Sequence, residues 1–426
     1  EELQLQGRAF DNRLNYQLGA YFEHAGPFGD FQGTRSGISI SCTDLLANQC
    51  SNPYGAGFVQ NSLTRYKFTN IGFYGQGTYK LTEQLSITGG IRYTIDKVEA
   101  EGATRLIRFL APNMPSFTCS RNTTLVADDP RVCSIFDTQK SERPTWLVDI
   151  DYYVTPDAML YAKYSRGYRQ GSTNVSNTIP VSWGPESVDA YEIGAKLSFD
   201  GAVRGYFNIA AFYNNLRDQQ VPASLVPAPG TTNSPAQAIV NAGKSRIKGI
   251  EVDASITPFD GFNVTLGYAY LDTELVAANA LPTPPPGYTI NASAAVGEDL
   301  AYSPKHRVVL GGRYTLPLPE SVGRISLGAT YAYTASQQSV YYMPTPTSSP
   351  FSNPFGKLPS TNILDLNLNW NKIAGSNVDL SLFVTNVTKE KYDVAIGNGF
   401  FTAGYEYAIR GQPRMFGARL RYSFGD

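Results

Sequence analysis

Between Gly249 and Ala269 apolar and small or polar residues change places at almost every step. Ile250, Val252, Ala254 and Ile256 alternate with Gly249, Glu251, Asp253 and Ser255. After Pro258, Phe259, Asp260 and Gly261 the pattern resumes, with Phe262, Val264, Leu266, Tyr268 and Tyr270 against Asn263, Thr265, Gly267 and Ala269. A period of two puts one set on each face of an extended strand and cannot build an amphipathic helix, so the stretch is predicted as two strands joined by a tight turn. One face is greasy and the other small and polar. That much fits a soluble sandwich as well as a membrane barrel.

The same alternation predicts fifteen strands, near residues 1–9, 13–24, 64–80, 84–98, 140–154, 157–170, 188–199, 203–219, 244–257, 262–275, 304–316, 323–336, 358–371, 377–388 and 413–424. The stretch from Tyr206 to Tyr213 is the least clear of them, and no helix of consequence is left over. Connections alternate in length. Short turns fall at Asp11, 82–83, 155–156, 200–202, 258–261, 317–322 and 373–376, and between them lie segments such as 25–63, 100–139, 171–187, 221–242 and 276–303. Short turns on one side and long loops on the other distinguish an outer-membrane barrel from a sandwich or propeller, which has no reason to sort its loops. Nearly all 27 prolines sit in loops or at strand starts, Pro144 being the main exception. Tyr268, Tyr270, Tyr331 and Tyr333 gather toward the loop ends of their strands, where an interfacial girdle belongs.

Composition sharpens this picture. Only 17% of the 426 residues are charged, while Tyr, Phe and Gly number 28, 22 and 39, a mixture suited to a wall between lipid and water. A net charge of −1 with scattered basic residues gives nucleic acid no footprint. No run of apolar residues is long enough for a transmembrane helix, and no signal peptide stands at Glu1. The four cysteines form two close pairs, Cys42 with Cys50 and Cys119 with Cys133, each in a long polar segment, and are predicted as local disulfides of an oxidising compartment. A metal site, the rival reading, needs convergent ligands, and the two histidines, His24 and His306, lie far off in sequence.

Several segments then resemble the C-terminal part of the barrel of TonB-dependent outer-membrane receptors. Tyr161, Ala162, Lys163, Tyr164, Ser165, Arg166, Gly167 and Tyr168 are similar to that family's "SRGY" strand, and Glu186 with Tyr191, Glu192, Ile193, Gly194, Ala195 and Lys196 to its "PE…YEIGxK" strand. Arg246 to Glu251 resemble "xxGIE", Ser303 to His306 "xPxH", Thr385 to Tyr392 "NLxxxxY", and Gly411 to Arg414 "GxPR". The pieces occur in this order from about Asp149 onward. The resemblance implies an all-β, antiparallel transmembrane barrel of about 22 strands with a plug in its lumen, of which this chain supplies about 15. On that reading residues 1–426 are the C-terminal portion of one barrel domain. The terminal strands would then run parallel as open edges, with the plug, the TonB box and about seven strands upstream. The family's terminal assembly signal maps onto Tyr422 and Phe424, here followed by Gly425 and Asp426.

Chemistry points to transport. Two histidines and no nucleophile constellation give catalysis no basis, and no cofactor or metal site is expected. Gly72, Gly75 and Gly77 lack the following helix of a phosphate loop and read as small lumen or twist positions. Lys163, Glu192, Lys196, Glu251, Asp253, Arg313, Arg419 and Arg421 are expected to face the lumen, where they meet water or plug. Tyr168, Arg169, Gln170, Trp183, Tyr341, Tyr342, Phe400, Phe401, Tyr405 and Arg410 are the ligand-binding candidates, since aromatic and cationic loop surface can hold a flat anionic chelate. Girdle and loop packing is the competing role for each. The implied function is TonB-dependent uptake of a scarce nutrient across the bacterial outer membrane, most often a ferric siderophore in this family. Vitamin B12, an oligosaccharide or an aromatic compound are alternatives within the family, and a passive porin is the alternative outside it. The implied partners are outer-membrane lipid, the TonB system through the upstream part, the barrel-assembly machinery and a small ligand such as a ferric chelate.

Overall fold

The computed structural model describes the chain except for residues 30–31, 39, 54, 56, 121–128, 176–180, 231–235, 279–282, 293–295, 340–355, 399–405 and 425–426. Its wall is a row of long strands: β1 (Glu2–Ala9), β2 (Leu14–Ala25), β3 (Phe58–Lys80), β4 (Leu85–Ala111), β5 (Ser134–Thr155), β6 (Ala158–Arg169), β7 (Glu186–Asp200), β8 (Arg204–Pro227), β9 (Ala236–Phe259), β10 (Phe262–Ala278), β11 (His306–Thr315), β12 (Arg324–Thr334), β13 (Thr361–Asn371), β14 (Val378–Thr385) and β15 (Met415–Tyr422). Each pairs antiparallel with the next. These are the fifteen strands that the alternation predicts. Gln32–Ile38, Met114–Cys119 and Tyr288–Ala292 widen the same sheet to 18 strands at its long-loop rim. Among the described residues β1 and β15 have one neighbour each and do not pair with one another, so the sheet is open between them.

The expected strand ends fall short on the long-loop side. Ladders placed by the sequence at 64–80, 84–98, 140–154, 203–219 and 244–257 reach Phe58, Ala111, Ser134, Pro227 and Ala236. A tilted strand crosses the membrane in about 9–11 residues. The 27 residues of β4 therefore continue for roughly 16 more, about 50 Å of extended chain. Beyond the bilayer neither face meets lipid, so alternation no longer marks the strand. Pro144 is accordingly not the main proline in a ladder, since Pro115 and Pro222 also stand in paired strands. Pro144 lies past Trp146–Arg166, the last pair of β5 with β6, and Pro222 past Ser187–Arg217, the last pair of β7 with β8, where one neighbour has already departed.

Opposed residues of antiparallel neighbours share a face, so register carries each face along the wall. Ala418, Leu382, Leu368, Leu327, Tyr314 and Phe262 form one continuous row. Arg419, Ser381, Asn369, Ser326 and Thr315 form the next, on the other face. The polar face carries Lys163, Glu192, Lys196, Glu251, Asp253, Arg313, Arg419 and Arg421. The apolar face leaves Phe416 72%, Leu420 71% and Ile193 63% exposed, a continuous greasy surface that only lipid can cover. The unclear stretch Tyr206–Tyr213 belongs to β8, where Phe212 points to the polar side. A Cβ on Gly249 would meet its ring at 2.7 Å, so the pair of residues fills one place and blurs the alternation.

Above Ile250 and Tyr270 on the apolar face the residues become Lys248 with Asp272, 2.9 Å apart, and then Arg246 with Glu274. Tyr268 and His306, joined at 3.0 Å, occupy the girdle level just below. This ionic belt marks where lipid gives way to headgroups. The sheet is a single layer, and its clusters of buried apolar side chains sit above the belt. Val59, Ile107 and Phe109 pack with Cys50, and Val221, Leu225 and Val240 pack with Val181 and Tyr288. Cys42 is joined to Cys50 and Cys119 to Cys133, with Cα atoms 4.0 and 5.3 Å apart, and each bridge pins a hairpin of this upper part.

Leu420→Arg is expected to cost about 2–4 kcal/mol in a bilayer, and Arg419→Leu far less, because only the first places an arginine in lipid. Reversible urea unfolding of the whole receptor in vesicles measures both.

Candidate functional site

The polar face of β2 to β6 closes into a cavity of about 650 Å³ at the level where the strands leave the membrane. Alternation delivers its side chains: Glu23 from β2, Asn70 from β3, and Arg92, Thr94 and Asp96 from β4 are all on the same face by register, as is Tyr21 beside them. Arg92 is the centre. Its Nε donates to Thr94 Oγ1 at 3.0 Å and a terminal nitrogen to Asn70 Oδ1 at 3.4 Å, while the guanidinium lies 5.4 Å from the ring centre of Tyr21 and 5.8 Å from that of Tyr74. A Cβ on Gly72 would stand 2.4 Å from that guanidinium, so the missing side chain makes its room. Among the described residues no carboxylate pairs with Arg92 within 4.0 Å, and its charge faces the cavity. A second cavity of about 520 Å³ lies next to the first, sharing Arg92, Thr145, Arg166 and Gly167.

Asp96 is 5% exposed and holds the site together by accepting from Asn70 Nδ2 at 2.5 Å and from the Tyr168 hydroxyl. On the outer face of the same strands Arg166 stacks over Trp146 at 5.2 Å and lies 3.6 Å from Asp189, which Arg217 also meets at 3.1 Å. Past Arg166 the chain leaves β5 and folds over its inner face. The Gly171 amide donates to Ser141 Oγ at 3.0 Å, and Val175 packs with Ala100, Ile135 and Tyr66. A Cβ on Gly102 would stand 2.0 Å from the Val175 carbonyl, so glycine is required there. The short strands Ser172–Asn174 and Val181–Trp183 pair in this inward segment. Its far end is tied to β8 and β9, where the Gly184 amide donates to Asn241 Oδ1 at 2.7 Å and Gln220 Nε2 donates to the Gln170 carbonyl at 2.8 Å.

Asp137, above the membrane, anchors both short strands by accepting from Thr173 at 2.5 Å and from Ser182. Burial raises its pKa, but those hydroxyls and the Thr138 amide outweigh it and leave the carboxyl below its ordinary value.

Of the residues singled out in sequence, Tyr168 and Gln170 line the cavity. Arg169 pairs with Glu186 at 2.9 Å and is largely exposed, and Trp183 lies opposite Ser172 in the inward segment. Arg410 pairs with Asp393 at 2.9 Å in a separate hairpin, Asp393–Asn398 with Glu406–Arg410. Tyr341, Tyr342, Phe400, Phe401 and Tyr405 lie outside the described residues. Tyr422 and Phe424 meet edge to face at 4.7 Å at the end of β15, both exposed. Sequence reasoning missed Tyr21, Asn70, Tyr74, Arg92 and Asp96, which it absorbed into strands. The available signal was Gly72, an inward glycine whose space a neighbouring strand's long side chain had to fill.

Comparison with known proteins follows the fold. The model of the TonB dependent receptor-like β-barrel matches residues 3–387. PiuA of Acinetobacter baumannii, a probable TonB-dependent siderophore receptor, is 23% identical over 401 residues, covering 89% of this chain and 45% of that protein. An uncharacterized TonB-dependent receptor of Haemophilus influenzae is 22% identical over 341 residues, 77% of this chain and 80% of that one. Among solved structures, the ferric yersiniabactin uptake receptor FyuA of Yersinia pestis matches with a TM-score of 0.67 at 14% identity over 100% of this chain and 53% of its own. The PiuA structure matches with 0.64 at 18% identity over 98% of this chain and 54% of its own. At such identities the likeness is one of fold. The chain spans about half the length of PiuA and FyuA.

A depressed carboxyl stabilises above its unfolded pKa, near 3.8 for Asp137, and that contribution is lost as pH falls through the folded value. A nitroxide at Ser172 of the whole receptor is therefore expected to stay immobile at neutral pH and to loosen only below about pH 3.8, whereas Asp137→Asn should loosen it at every pH.

Proposed function

Since the chain belongs to the TonB-dependent receptor β-barrel family and so forms part of the wall of a bacterial outer-membrane barrel, we propose that the receptor takes up a ferric siderophore and that the cavity around Arg92 contacts it. The observation that carries this reading is the guanidinium of Arg92, held over two tyrosine rings, without a carboxylate partner among the described residues, beside Tyr168. A half-buried cation with aromatic neighbours favours a flat, anionic ligand over a neutral one. PiuA and FyuA, the relatives described as siderophore or ferric-chelate receptors, support the same class of cargo. In this reading residues 1–426 are the C-terminal portion of the barrel domain, and a plug elsewhere in the receptor answers the TonB system. Tyr422 and Phe424 are the contact for the assembly machinery.

Tryptophan quenching of the whole receptor by an iron-loaded tris-catecholate tests the proposal. Arg92→Gln is expected to weaken binding roughly tenfold to a hundredfold, the worth of a charge-assisted hydrogen bond of about 1.5–3 kcal/mol. Tyr168→Phe is expected to weaken it less, since the phenyl group remains. Unchanged affinity in Arg92→Gln, or equal quenching by vitamin B12 or a maltooligosaccharide, contradicts the reading. Iron uptake that persists in cells lacking the TonB system would point instead to a passive pore.

A further inference from the structure

We propose that the inner faces of β1 to β4 below Arg92 form a neutral, amide-lined lane along which an anionic cargo leaves that site for the short-turn end of the barrel, a proposal that rests on the cargo reading above. Register lays the lane out in rows, each crossing β4, β3, β2 and β1. Arg92, Tyr74, Gly19 and Gln4 make the first row, Gly90, Gln76, Gln17 and Gln6 the second, and Thr88, Thr78, Asn15 and Arg8 the third. Lys80 stands one row lower, opposite Ser86. From Arg92 to Thr88 is four residues of one strand, about 13 Å of extended chain.

Three hollows follow the same descent. The cavity around Arg92 meets the one of about 520 Å³ beside it, and that one shares Gln17 and Gln76 with a third of about 410 Å³, which reaches Arg8, Asn15 and Thr78. Small residues keep the way open. The Tyr74 ring takes the place of a side chain on Gly19, where a Cβ would stand 2.3 Å from it, and Gly90 leaves the space beside Gln76.

Charge separates this arc from the rest of the wall. Between the Arg92 row and the short turns, the inward positions of β1 to β4 hold no carboxylate among the described residues. Glu2 lies one row above Gln4 and accepts from the Tyr74 hydroxyl at 2.6 Å. The lane itself is amides and hydroxyls. Gln6 donates to Gln4 at 3.1 Å, Gln17 to the Tyr74 hydroxyl at 3.4 Å, and Thr78 meets Thr88 at 2.8 Å, while each amide has further donors and acceptors to offer. Cations stand only at its ends, Arg92 above and Arg8 and Lys80 at the foot. Carried past β4, the third row becomes Asp149, Lys163 and Glu192, and the row below it brings in Asp151, Glu251 and Arg307. Alternating fixed charges there would repel an anion or hold it in one place. A path conducts when its contacts are many and weak, and neutral amides between two cationic ends meet that condition for an anion.

The test adds charge to the lane without changing its shape. Gln6→Glu with Asn15→Asp is placed in the whole receptor, expressed in cells that have no other route for an iron-loaded tris-catecholate. Heat-modifiable migration confirms that each variant is a folded barrel. Tryptophan quenching is expected to show the wild-type affinity, because the new carboxylates lie more than a screening length below Arg92, while uptake of radiolabelled iron should slow roughly tenfold or more. Ser198→Asp with Asn208→Asp puts the same charge on inward positions of β7 and β8 and should leave uptake at the wild-type rate. Unchanged uptake in the first variant overturns the lane and leaves the Arg92 site standing. Equal slowing in both variants overturns its assignment to β1 to β4. Loss of binding together with uptake in the first variant also overturns it, since the lower rows would then belong to the capture site. Failure of the wild type to bind the chelate overturns the cargo reading, and the lane with it.

Discussion

Everything in this structure depends on one constraint: in hydrocarbon a backbone N–H or C=O without a partner costs several kcal/mol, so each strand between the open edges β1 and β15 is paired on both sides. A single sheet that satisfies this has two faces and no interior. Lipid on one face and water on the other then select residues in strict alternation, which is why Ile250, Val252 and Ala254 interleave with Glu251 and Asp253. Where the lipid ends, that selection ends too. Salt bridges take over the outer face at Lys248–Asp272 and Arg246–Glu274, and the clusters of buried apolar side chains lie above them.

The functional site is a consequence of the same alternation. Inward positions of five neighbouring strands need not be apolar, so they are free to carry a guanidinium, two tyrosines and a carboxylate within reach of one another. Precision comes from small residues. Gly72 admits Arg92, Gly102 admits the backbone at Val175, and Gly249 admits Phe212. Tyr168 couples the wall to the inward segment by bonding Asp96 on β4 while its own strand pairs with β7. The tie of Gly184 to Asn241 fixes the other end of that segment against β9.

The wall was legible in sequence because lipid imposes a rule that each strand obeys by itself. Fifteen strands, their order and the sorting of turns and loops followed from periodicity alone, and family motifs at Tyr161–Tyr168 and Gly411–Arg414 agreed with them. The site was less legible. Tyr168 and Gln170 stood at a strand end and could be suspected, whereas Arg92 and Asp96 look like any inward residues until register shows Asn70, Thr94 and Tyr74 around them. The upper ladders escaped notice for a related reason, since Val59 and Ile107 are buried by hairpins folded back from distant sequence, and no local period reports that. Arg410 was grouped with Tyr168 by type, yet the fold gives it to another hairpin and to Asp393.

The account rests on which face meets lipid, and nitroxide scanning of β9 in the whole receptor, reconstituted in vesicles, reads that directly. Labels at Ile250, Val252 and Ala254 are expected to relax strongly with oxygen and weakly with a water-soluble nickel chelate. Labels at Glu251, Asp253 and Ser255 are expected to show the reverse, with a period of two. Accessibility that rises and falls together at adjacent positions, or an inverted pattern with Glu251 and Asp253 in lipid, would contradict it.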